Sequence, residues 1–241
     1  MILNYFTPDH LLTLAIGILL VACVYVLFRH LPSKTRIPIL FLLSLLGPIS
    51  MIWDLFAHED WLRFLPLHLC SFNAALIPVV VLTRNERLGN LLLLWCLGGA
   101  MALLLNGTEA AWNPSSLDFW AFFVPHVFEI CIPVFMFAFH YVKKKLKYIP
   151  GTILITGIAY TFVHLVNVLI NRHLEQVQAA YRVNYMFSLW PDNAFQQMLW
   201  NIVPYAYWYS YLYFPLVVVW LGAVYLPEII RAIKNRHHKD T

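Results

Sequence analysis

Cys70, His126 and Glu129 are the residues of this sequence whose types suit covalent chemistry. A cysteine attacks an acyl carbon once a base takes its proton, and an imidazole is the usual base. His126 and Glu129 are spaced i, i+3, so a helix puts them on one face. There the carboxylate can orient the imidazole, as the third part of a triad-like set. His164 is a second candidate for that orienting part. Asn73 shares a helical face with Cys70, and Asn73 or Asn106 could donate a hydrogen bond to an oxyanion. Cys23 and Cys96 have no polar neighbours on their runs, and Cys131 points off the face of His126. No pair of cysteines has a CxxC spacing, so neither a disulfide framework nor a cysteine-based zinc site is expected.

Two rival chemistries use overlapping residues. His68, His126, Glu129 and His164 make an N/O ligand set that would suit zinc or iron. No HExxH or paired ExxH motif accompanies them, so the expectation is chemistry without a metal or cofactor. Alternatively, the same groups hold a small polar solute or a lipid headgroup, and the protein is a binder or transporter. Tyr160, His164, Asn167 and Asn171 follow i, i+4, i+7, i+11 and form one narrow stripe. With His68, Asn73 and Asn106, the residues Tyr160, Asn167 and Asn171 are the candidate substrate contacts. Polar residues of this kind also tie helices together without any further role.

These residues sit in an unusual background. Of 241 residues, 61% are hydrophobic and 12% charged, against roughly 45–50% and about 25% in soluble domains. Mean hydropathy is +0.69. A soluble domain of this length cannot hide so much apolar surface, and a disordered chain would be polar. A net charge of +4 gives no reason to expect nucleic acid.

Seven apolar runs have about the length a helix needs to cross the hydrocarbon. They cover roughly 11–28, 37–54, 65–83, 88–107, 119–141, 149–171 and 203–226. Backbone groups in lipid need internal partners, so such runs are helices, and no strand alternation suggests a barrel. The expected fold is all-α: one transmembrane domain over 1–241, a polytopic bundle of seven helices. Asp9 and no basic residue precedes the first run, so no signal peptide is expected. All Lys and Arg except Arg63, Arg172 and Arg182 fall on one side of this arrangement, which places the N-terminus outside and the C-terminus in the cytoplasm. The 172–202 connection carries Tyr181, Tyr185, Phe187, Trp190, Phe195 and Trp200 and reads as an interfacial lid or half-helix on the outer side. The candidate site residues lie in the outer half of the bundle.

Leu65-Pro66-Leu67-His68-Leu69-Cys70 resembles a segment of the YwaF-like integral membrane proteins of bacteria, and Asn184-Tyr185-Met186-Phe187 resembles their element before the last span. The run from His126 to Pro133 is similar to their histidine-bearing fifth span. That family is distantly similar to an animal transmembrane acyltransferase that remodels ether phospholipids. It is also similar to androgen-induced membrane hydrolases that cleave fatty-acid esters of hydroxy fatty acids. The resemblance implies a bacterial plasma-membrane protein working on membrane lipids, with Cys70 and His126 in the positions of those enzymes' catalytic pair. The expectation is a lipid acyltransferase or acyl-ester hydrolase that passes through an acyl-thioester.

Overall fold

A computed structural model describes residues 7–105 and 116–237. These residues form nine α-helices: α1 Pro8–His30, α2 Ser33–Ser44, α3 Leu46–Ala57, α4 Leu69–Thr83, α5 Glu86–Leu105, α6 Leu117–Ala138, α7 Ile149–Gln176, α8 Ala194–Ile202 and α9 Phe214–His237. No strand occurs among them. Short 3₁₀ turns at Trp61–Phe64, Leu146–Tyr148, Tyr185–Phe187 and Trp208–Tyr213 lie between helices. Side-chain caps mark several helix starts. Thr7 accepts from the His10 N–H, Ser116 from that of Phe119 and Asn193 from that of Gln196.

Six helical segments among the described residues are long and apolar enough to cross a membrane. The second, Ser33–Ala57, is one run interrupted at Leu45, where α2 gives way to α3. Pro48 explains the break, because it has no N–H to offer the Ser44 carbonyl. The third expected run is cut short. Pro66 disfavours helix at the residue before it, the Leu67 N–H turns back to the Leu65 carbonyl at 2.7 Å, and His68 is extended, so no helix forms before Leu69. What remains is α4, of 15 residues, or about 22 Å, against roughly 30 Å of hydrocarbon. The last run also departs from expectation. Tyr207 has φ 69°, and α9 starts only at Phe214, after a 3₁₀ turn.

The core is a central trio. α5 packs against α4 and α6, and α4 against α6. α1, α2 and α3 cover the trio along α6 and α4, while α7 and α9 lie against α5. Phe28, Leu40, Ile77, Val81, Leu92 and Ile132 are buried where the first of these layers meets the trio. Leu91, Trp95, Leu221 and Tyr225 do the same on the α9 side. Large apolar side chains such as Ile18, Phe56, Leu154 and Val219 stay exposed on the outer helices. In water that surface would be costly, and in a bilayer it faces lipid tails. α3 reaches α4 closely at Gly47, where an added Cβ would stand 2.7 Å from that of Ala74.

Candidate active site

The shortening of α4 sets the site. With His68 as the N-cap, Cys70 lies in the first helical turn. Backbone N–H groups there have no carbonyl acceptor within the helix, and such groups can turn to an anion. Ser71, the next residue, lines the same cavity as Cys70. α5 passes close at Gly98, whose missing Cβ would lie 3.4 Å from the Cys70 nitrogen. The next residue, Gly99, faces Glu129; a Cβ there would meet Oε2 at 3.0 Å.

α6 supplies the other two groups. His126 Nδ1 lies 2.6 Å from the Phe122 carbonyl. A carbonyl only accepts, so Nδ1 carries the hydrogen, and Nε2 is left with the lone pair. Glu129 sits one turn further along, buried, and its Oε2 has no hydrogen-bond partner among the described residues. The Cys70 sulfur, a His126 ring nitrogen and a Glu129 carboxylate oxygen all lie within 4.8 Å of one another. The structure therefore brings together the three residues of the expected set. The orienting hydrogen bond on His126 Nδ1 comes from Phe122, where the sequence suggested Glu129 or His164.

Two prolines in α6 explain how it is held in place. Pro133 has no N–H for the Glu129 carbonyl, and Asn73 Nδ2 donates to that carbonyl instead, at 3.1 Å. Pro125 leaves the Ala121 carbonyl free in the same way, and the Ser50 hydroxyl donates to it at 2.9 Å. Asn73 thus fastens α4 to α6 beside the site, and it does not line the cavity in front of Cys70.

That cavity has a volume of about 640 Å³. Cys70, His126, His68 and Ser71 form part of its wall, and much of the rest is apolar: Leu94, Leu97 and Met101 from α5, Ile153 and Gly157 from α7, Phe214 and Val217 from α9. Tyr160 lines it as well and donates its hydroxyl to the Tyr207 carbonyl at 3.2 Å. His68 also faces a smaller cavity of about 200 Å³, shared with Arg63, Arg182 and Asp192. Burial there raises the Asp192 carboxyl above the ordinary carboxylate range. Met186 donates its N–H to His68 Nδ1 at 3.3 Å.

The rest of the α7 stripe is placed elsewhere. Asn167 donates to the Tyr185 carbonyl at 2.8 Å and accepts from the Tyr185 N–H at 2.9 Å. Asn171 makes the same pair of bonds with Val183, at 2.8 and 2.9 Å. His164 Nδ1 pairs with the Ser188 hydroxyl at 3.1 Å. These three side chains hold the 183–188 segment against α7, and none lines the larger cavity. Asn106 lies outside the described residues. The structure adds participants that residue type alone did not single out: Ser71, the Gly98-Gly99 pair and the Phe122 carbonyl. The proline spacings, four residues beyond Ala121 and Glu129, were a visible signal for the freed carbonyls.

A family model described as the TMEM164 family covers residues 5–224. No curated protein and no solved structure matches the chain.

Proposed function

This chain belongs to the TMEM164 family of transmembrane proteins, and on that premise we propose that it is a membrane-embedded lipid acyltransferase or acyl-ester hydrolase using Cys70 and His126. The observation that carries this reading is the meeting of thiol, imidazole and carboxylate within 4.8 Å at a helix start. Beside them is a largely apolar cavity of about 640 Å³, within the usual range of roughly 300–1,000 Å³ for small-molecule pockets. The resemblance of the Leu65–Cys70 segment to the YwaF-like proteins, a family distantly similar to membrane acyl-transfer enzymes, points the same way.

The chemistry runs in two halves. Cys70 Sγ attacks the carbonyl carbon of an acyl ester while its proton passes to His126 Nε2. The tetrahedral oxyanion is received by the free N–H groups of the first turn of α4, the role that sequence alone offered to Asn73 or Asn106. Collapse breaks the C–O bond, and the leaving alkoxide takes the proton back from His126. An acyl-thioester on Cys70 remains. A lysolipid hydroxyl, or water, then attacks it with His126 as base, and the thiol is restored. In this reading α4, with its non-helical lead-in, completes a seventh crossing. The N-terminus is outside, the cavity lies in the outer half, and acyl chains enter from the bilayer.

A thiol-directed lipid ester probe tests this on purified protein in nanodiscs. Labelling is expected on Cys70, absent in Cys70→Ala, and slowed about 10²- to 10⁴-fold in His126→Ala, the usual share of a general base. Unchanged labelling of Cys70→Ala would remove Cys70 as the nucleophile.

A further inference from the structure

We infer that Cys70, His126 and Glu129 also form a binding site for a zinc-like divalent cation, and that the ion, when bound, blocks the thiol. Three independent features carry this. The donor atoms are thiol sulfur, imidazole nitrogen and carboxylate oxygen, which is a zinc ligand set. They lie within 4.8 Å of one another; bond lengths of about 2.0–2.3 Å put tetrahedral ligands roughly 3.5 Å apart, so a modest side-chain shift closes the cage. Next, His126 gives its Nδ1 hydrogen to the Phe122 carbonyl. Metal-ligating histidines are held in that way, with the other nitrogen turned to the ion. Finally, Glu129 Oε2 is buried without a hydrogen-bond partner among the described residues. A buried oxygen so placed costs free energy until something satisfies it, and a cation would.

Three protein ligands leave a fourth position on the ion, toward the cavity that Cys70 and His126 line. Binding displaces the thiol proton to solvent, and the sulfur lone pair goes to the metal. In that state Cys70 cannot attack an ester, and His126 Nε2 cannot take a proton. The blocking role rests on the acyl-transfer reading; the ion site itself does not.

The test uses full-length protein in nanodiscs, stripped of metal and titrated with Zn²⁺ against a zinc-responsive dye. One equivalent should bind. Affinity should fall at least about tenfold in Cys70→Ser and in Glu129→Gln, the smallest loss seen even for outer-shell partners. Co²⁺ in place of Zn²⁺ should show a thiolate-to-metal charge-transfer band that Cys70→Ser abolishes. Zinc should also slow maleimide alkylation of Cys70 in the unaltered protein, and each variant eluting at the unaltered protein's position in size-exclusion chromatography shows that it is folded. Undiminished zinc affinity in Cys70→Ser, or alkylation of Cys70 that zinc does not slow, would overturn the inference. Lipid-probe labelling measured free of zinc separates the two readings. Zinc uptake without labelling sinks the acyl reading alone, and labelling without zinc uptake sinks this one alone.

Discussion

At the scale of residues, the packing of α6 beside the candidate site depends on which carbonyls the prolines set free. Pro133 leaves the Glu129 carbonyl without a helical donor, and Asn73 supplies one from α4. The arrangement makes a paired prediction. Asn73→Ala strands a buried carbonyl and should cost about 1–3 kcal/mol. Pro133→Ala returns the missing N–H to α6, so in that background Asn73→Ala should cost clearly less. Denaturant unfolding of the four proteins in a mild detergent gives the coupling directly. Equal costs in both backgrounds would mean that Asn73 acts by some other contact. Cys70, His126 and Glu129 were legible from residue type and helical spacing. The Nδ1 bond to Phe122 was not, because a backbone carbonyl in the preceding turn carries no residue-type signal. Gly99 was equally hidden, since a glycine reports a close approach only when its neighbour is known.

At the scale of elements, the polar stripe on α7 was visible in the sequence, but its purpose was not. The spacing of Tyr160, His164, Asn167 and Asn171 announced one face and could not say what that face meets. In the fold, Asn167 and Asn171 each present an amide to the backbone of Tyr185 and Val183, much as a neighbouring strand would. Their amides are spent on positioning a connection, which accounts for a buried and a half-buried asparagine without a ligand. The 183–188 segment in turn places Met186 and Phe187 on the wall of the cavity. Asn171→Ala should therefore loosen this connection and leave α4–α6 intact. Hydrogen exchange is the measurement: amides of Val183 and Tyr185 should exchange at least about tenfold faster, equivalent to the loss of about 1.4 kcal/mol of local protection. Amides of α5 should not change. Faster exchange spread evenly over the bundle would show a general destabilisation and refute the clamp. The element boundaries followed similar logic. Pro66 shortened α4 and Pro48 interrupted the second run one turn before it, and a hydropathy window averages over both prolines.

At the scale of the whole molecule, the two ends of the bundle are built from different materials. Away from the cavity, Asn90 of α5 donates to the Lys143 carbonyl at 2.9 Å and accepts from the Lys145 N–H at 3.0 Å and the Tyr225 hydroxyl at 2.6 Å. Lys145 pairs with Glu86, and Lys144 with Glu228 at 3.3 Å. One asparagine and two ion pairs thus join α5, the connection after α6, and α9. The Glu86 hydrogen bond raises the Lys145 pKa. A raised lysine pKa adds stability below its unfolded value near 10.5, and this is lost as pH climbs through the folded value, so the pair is complete at neutral pH. The same end holds most of the basic residues, and a basic end of a membrane protein is retained in the cytoplasm. The cavity end has the aromatic connection and the short helix α8 instead. This asymmetry predicts an orientation that reporter fusions can read. A fusion after the C-terminus should report cytoplasm, and a membrane-impermeant thiol reagent should reach a cysteine placed at Arg182 but not one placed at Lys147. A reagent-accessible cysteine at Lys147 in sealed cells would invert the topology and turn the site toward the inner leaflet, where a different pool of lipids and acyl donors would meet Cys70.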